Sequence, residues 1–295
     1  MAPYILNKTR RKAARNQVPK YESFVLMEYS ASGRSDNALQ RVVFIVQFRQ
    51  DFSEQDFQRF DNNSRNWREE LPRRSVSNAV LLQPGSNRVA FDDERIVGLS
   101  YEALLKDGSI EFGLRFDESR VLFLAGRYTR WAEVWPHAQK FLGAAMGLVP
   151  EDNPVISFAS EYTDLFRATG KYDEFDASGI LRPGSRYIPS HVFDRVENFH
   201  FHTGFFETRD EPSRHRVLTR INADLRDNDE EKTRDLSMVL FHQISSHREP
   251  WIGEKGLGKQ ILDRGLDNFQ SLHQIDKDVL SEILNDQMSN SIGLQ

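Results

Sequence analysis

The sequence predicts an α+β fold: antiparallel strand meanders, two or three packing helices, and a long C-terminal helix. Three observations point there. Short β-branched or alternating apolar runs come in consecutive groups rather than in alternation with helical patterns, which disfavours a doubly wound parallel sheet. One group contains Lys106-Asp107-Gly108-Ser109, and Asp-Gly between two apolar runs is the strongest short hairpin signal. Finally, Leu262, Leu266, Phe269, Leu272, Ile275, Val279 and Ile283 recur at spacings of three and four, which places them on one face of a helix from about Gln260 to Met288.

The elements follow in order. Residues 1–20 have no apolar periodicity and read as a flexible arm; Tyr21–Tyr29 is a short strand candidate and Ser30–Asn37 a polar linker. The run Val42–Phe48 has the signature of a buried strand. Ser53 stands three residues before Asp56, a capping-box start for a helix whose stripe is Phe57, Phe60, Trp67 and Leu71, ending at Pro72. Strands are expected at Val76–Leu82, Ile96–Leu105, Ser109–Phe116 and Arg120–Ala125, as a meander. Thr129 is the expected cap of the next helix, with Glu133 in its first turn and Trp131, Val134, Trp135, Ala138, Phe141, Leu142 and Ala145 on its apolar face; Pro136 should kink or delay it. A strand follows at Val155–Phe166, then an irregular stretch over 167–195. Three more strands are expected at Asn198–Thr208, His215–Asp224 and Leu236–Ser245 before the closing helix. The two halves are loosely alike, without a residue-level repeat.

The chain has 295 residues, 39% hydrophobic and 28% charged, an ordinary globular balance; the 21 phenylalanines suit a well-packed interior. Without cysteine there is no disulfide scaffold, thiol nucleophile or Cys-ligated metal site, which fits a reducing cytoplasm. No apolar run approaches the ~20 residues of a membrane span, and charge follows the first six residues where a secretory signal would be apolar. The net charge of −5 is uneven. Lys8, Arg10, Arg11, Lys12, Arg15 and Lys20 give the arm +6, whereas the remaining 33 basic and 44 acidic groups give the body −11. The expected organisation is a basic arm over 1–20 and an α+β body over 21–295, with a subdivision point near 148–154.

One segment, Phe123-Leu124-Ala125-Gly126-Arg127-Tyr128-Thr129-Arg130-Trp131-Ala132-Glu133, resembles the Tyr-Thr-Arg-Trp-x-Glu strand-to-helix segment of a sporadically distributed prokaryotic family of unknown function. Two further segments fit the resemblance in order. Ile156–Asp164 stands where the family has a strand written roughly Ile-Gly-Leu-Arg-Tyr-x-Asn, and Leu272-His273 opens the terminal Leu-His helix segment. Glu161 replaces the family's Arg, Asp164 its Asn, and Pro136 interrupts the helix. The resemblance implies no activity. Sporadic distribution is typical of mobile elements and anti-phage defence islands, and it implies an accessory role there.

Four patterns bear on chemistry. Gly253-Glu254-Lys255-Gly256-Leu257-Gly258-Lys259-Gln260 has the spacing of a phosphate-binding loop, but Gln260 replaces the magnesium-binding hydroxyl and no buried strand precedes it; a glycine-rich loop before the last helix is the plainer reading. His200 and His202 share one strand face and are the metal candidates, with Glu207, His215 or His242 as the third ligand, against the plainer reading of a polar strand face. The clusters Asp92-Asp93-Glu94 and Asp227–Glu231 read as solvated turns, and no Gly-x-Ser-x-Gly elbow is present. The basic arm could neutralise phosphates, or fold on an acidic protein surface. The expected function is therefore a non-catalytic binding or regulatory module with a protein partner. The alternatives are a metal-assisted hydrolase or nuclease using His200 and His202, and a nucleic-acid-binding protein acting through the arm. Homo-oligomerisation is compatible with the sequence, and neither a cofactor nor a membrane is expected.

Overall fold

The computed structural model describes residues 27–32, 38–82, 89–194, 197–210, 214–246 and 258–294. Among these residues, ten strands form one antiparallel sheet: β1 (Glu28–Ala31), β2 (Leu39–Phe48), β3 (Arg73–Leu82), β4 (Val89–Leu104), β5 (Ile110–Asp117), β6 (Arg120–Ala125), β7 (Val155–Thr169), β8 (His200–Arg209), β9 (His215–Asn228) and β10 (Thr233–Ser246). Their order is β3-β4-β5-β6-β2-β7-β10-β9-β8, and β1 pairs with the end of β7 that β2 leaves free. The expected α+β architecture and its meanders are present. One meander runs β3 to β6, another β8 to β10, and the central pair β2–β7 fuses them into one sheet. The Asp-Gly signal is realised: Gly108 takes φ +82° between β4 and β5, and its amide donates to the Leu105 carbonyl at 2.9 Å.

Four helices, α1 (Glu54–Asn62), α2 (Trp131–Met146), α3 (Gly258–Ile283) and α4 (Asp286–Ser291), pack on one face of the sheet. The reason is the period of two: Val42, Phe44, Val46 and Phe48 of β2 and Val121, Phe123 and Ala125 of β6 all point to that face and are buried. Phe44 sits at its centre, with ring centroids of Phe123, Trp131, Trp135 and Phe269 at 6.4, 5.7, 5.6 and 5.4 Å. The irregular residues 172–192 contain three 3-10 turns and join the same side, Phe175 beside Tyr29 and Tyr187 stacked on Phe205. Among the described residues, no helix is long and apolar enough to cross a membrane.

Several local expectations change. The Ser53–Asp56 capping box is present, but α1 stops at Asn62; Trp67 and Leu71 are buried from the turn that follows it. The N-cap of α2 is Arg130, without a side-chain bond, and Thr129 instead donates its hydroxyl to the Glu133 carboxylate. Pro136 lies inside α2 on its exposed side; it has no amide to donate to the Ala132 carbonyl, and Ala132 is itself an exposed residue. The single closing helix becomes two. Segment 180–182 captures the end of α3, with Arg182 N–H donating to Ile283 O at 2.7 Å and Asn285 N–H to Ile180 O at 3.0 Å. Asn285 then caps α4, its side chain accepting from Met288 N–H at 2.7 Å. Asp92, Asp93 and Glu94 fall within β4 rather than in a turn, whereas Asp227–Glu231 do form the β9–β10 connection. The basic arm, most of the Tyr21–Tyr29 strand candidate and the loop segment 253–257 lie outside the described residues. Residues 147–154 connect α2 to β7.

Candidate functional site

The pleat of β8 decides the fate of the metal candidates. His200 and His202 are exposed on the face away from the helices, opposite Asp224 and Asn222. Glu207 and His215 alternate to the other face, and His242 is fully buried there, on β10. The five donors are thus divided between the two sides of the sheet. Among the described residues, no group of three His, Cys, Asp or Glu side chains is placed to hold a metal ion.

The three segments that carried the resemblance meet in the interior. Tyr128 comes from the β6–α2 connection and Trp131 from the start of α2, and Ser160, Tyr162 and Asp164 from the helix-facing side of β7. His273 and Asp276 come from α3. Trp131 stacks on the His273 imidazole with centroids 4.1 Å apart and planes 4° from parallel. His242, opposite Ser160, joins the cluster: its Nδ1 lies 3.1 Å from Thr219 Oγ1 and its Nε2 3.3 Å from Asp276 Oδ1. Burial raises the Asp164 carboxyl well above its ordinary value, and the neighbouring Asp276 raises it further. Burial likewise raises the Tyr128 and Tyr162 phenols and lowers His273. The Ser160 hydroxyl, the Tyr162 phenol, Asp164 Oδ2 and His273 Nδ1 find no hydrogen-bond partner among the described residues.

A Thr–His–Asp series has the order of a hydrolytic relay. Here, however, Thr219 is 2% exposed and His242 0%, so no substrate reaches the hydroxyl. The series ties β9, β10 and α3 together across the core. Of the motif residues, Tyr128 and Trp131 serve this interior, Thr129 binds Glu133, and Arg130 is exposed. His242, Thr219 and Asp276 were not distinguishable as a unit in the sequence, because only the β9–β10 register and the docking of α3 bring them together.

The opposite face of the sheet has no described element packed over it. Its residues line up by register in a row across seven strands: Phe206, Leu218, Gln243, Ala159, Ile45, Leu122 and Arg115. Where β2, β6 and β5 meet, this row crosses a groove of about 340 Å³ floored by Val43, Ile45, Leu122 and Leu124 and flanked by Arg41, Arg115, Arg120, Glu102 and Glu161. At the β8 edge, Phe206 is 61% exposed, with the Arg216 guanidinium 4.3 Å above its ring. One row over, Arg220 covers Phe241 at 4.1 Å. Further along β9 the character reverses: Asp224, Asp227, Asp229, Glu230 and Asp235 line a depression of about 540 Å³. Burial raises Asp235, but the hydrogen bonds from Arg167 and Asn228 outweigh it and leave the carboxyl below its ordinary value.

No family profile matches this chain, and neither a curated protein nor a solved structure does.

Proposed function

We propose that this protein is a non-catalytic binding or regulatory module that works through the uncovered face of its sheet, as an accessory component of a mobile-element or anti-phage defence system. One observation carries the binding reading. The clustered titratable groups of the helix side are sealed in the core, while the solvent-facing side of the sheet offers a mainly apolar row, broken by Gln243, with arginines and glutamates at its groove and arginines at its β8–β9 end. Interfaces favour this composition, with aromatic and arginine anchors in a patch of apolar floor. The defence role rests on the family resemblance alone. The test is turnover by the full-length protein of nucleoside triphosphates, single- and double-stranded nucleic acid and model esters, beside His242→Ala and Asp276→Ala variants. No turnover is expected. A turnover that these substitutions abolish, in variants that remain folded, would replace this reading with an enzymatic one.

A further inference from the structure

We infer that the ligand of this face is single-stranded nucleic acid, held on the β8–β9–β10 end of the open row; the inference rests on the binding reading above. Arg216 and Arg220 are exposed, and neither forms an ion pair among the described residues. Most arginines around them are spent on carboxylates: Arg41 on Glu161, Arg226 on Asp224, Arg209 on Glu207 and Arg167 on Asp235. The two unspent guanidiniums instead lie over phenyl rings, Cζ 4.3 and 4.1 Å from the ring centroids, and each is a rigid cationic plane. Such a plane accepts a nucleobase by stacking while its N–H groups remain free for phosphate oxygens.

Two such platforms stand four residues apart on β9, about 13 Å along the strand. Between them Leu218 supplies an apolar floor, and His202 and His200 continue the polar side of the same face. Gly204 lies opposite Arg220, and a Cβ there would meet Arg220 Cγ at 3.3 Å, so the glycine gives that arginine room to lie over Phe241. A base-paired duplex turns its bases inward and offers nothing to stack, whereas an unpaired strand presents every base face. A negatively charged protein segment would use the cations but not the stacking planes. Together, the exposed Phe206, the unspent arginines over Phe206 and Phe241 and an apolar floor match an unpaired strand better than either.

The experiment uses full-length protein and labelled 15-nucleotide RNA and DNA of one sequence, each single-stranded and as duplex, with affinity read by anisotropy across a salt series. Binding of the single strands is expected, with the duplexes weaker. Arg216→Ala/Arg220→Ala and Phe206→Ala should each weaken single-strand binding by tenfold or more, as removal of a stacking platform typically does. Arg216→Lys/Arg220→Lys keeps the charge and loses the plane, so it should fall between parent and double alanine. The RNA and DNA arms show which sugar the face prefers. These positions are at the surface, so melting temperatures should hold, and each variant is compared only at matched fold. A full-length variant with Lys8, Arg10, Arg11, Lys12, Arg15 and Lys20 changed to Gln should retain the dependence on Phe206. The inference falls if the parent does not bind single strands, or binds them no better than duplex. It falls equally if Phe206→Ala and the double alanine leave the affinity unchanged, which would assign binding to the arm. Binding of a protein ligand lost on Phe206→Ala would overturn the nucleic-acid assignment and leave the module reading intact; turnover would overturn both.

Discussion

At the scale of single residues, Asp164 places a carboxyl where charge is hardest to keep. It is 2% exposed, with Asp276 nearby, and both burial and that neighbour favour the neutral acid. In the unfolded chain the same carboxyl ionises near pH ~3.9. Between that value and its raised value in the fold, the native state binds more protons than the unfolded state. Stability from this group therefore falls as pH rises. Asn has the shape of the neutral acid and cannot ionise. Melting curves of Asp164→Asn and parent should lie close near pH 4 and separate toward pH 8, the variant becoming the more stable; a gap that shrinks with pH would contradict the assignment. Phe44 is the apolar counterpart, fully buried with four aromatic neighbours. Truncation to Ala should cost about 3–5 kcal/mol in urea unfolding, and Leu considerably less.

At the scale of elements, the break between α3 and α4 is set by a local cap and a tertiary capture. The apolar stripe at Phe269, Leu272, Ile275, Val279 and Ile283 was legible because those side chains obey helical spacing and are buried as such. The apolar stripe itself carries no break at Leu284; the break combines the Asn285 cap with capture by Leu181 and Arg182, about 100 residues away in sequence. Asn285→Ala removes the side chain that accepts from Met288 N–H and donates to the Ser178 carbonyl at 2.7 Å. It should cost about 1 kcal/mol, read as a lower thermal midpoint, with faster amide exchange confined to α4 and residues 177–182. Most strands were legible for a similar reason, since alternation or a β-branched run marks them and the Asp-Gly turn marks one hairpin; the exceptions are β1, whose Ser30 and Ala31 read as linker, and the first half of β4, whose acidic residues read as a turn. Which strand lies beside which was not legible. The meeting of β2 with β7, and hence of Tyr162 with the start of α2, depends on a pairing across more than 100 residues. Arg216 over Phe206 and Arg220 over Phe241 escaped for the same reason, since each pair spans neighbouring strands of the second meander. His200 and His202 show the converse. The spacing correctly put both on one face, but alternation across the neighbouring strands sends their would-be partners to the other.

At the scale of the whole molecule, charge is separated along the open face. The β8–β10 end near Arg216 and Arg220 carries the unspent cations, and the β9–β10 turn at the other end of the same strands carries Asp227, Asp229, Glu230 and Glu231. The body as a whole is at −11 by sequence. A polyanion approaching this face is therefore repelled by the protein at large and attracted over one limited region, which orients it toward the arginine platforms. Asp229 and Glu230 are exposed, so Asp229→Asn/Glu230→Gln should leave stability nearly unchanged. The same substitutions weaken the repulsive field, and single-strand affinity should rise a few-fold at about 50 mM salt, where the screening length exceeds 10 Å. At about 1 M salt it shrinks to about 3 Å and the advantage should vanish, while the dependence on Phe206, being stacking rather than field, should persist. An advantage that survives high salt would mean these two residues act by contact. No advantage at low salt would mean the acidic turn lies outside the path of the bound strand.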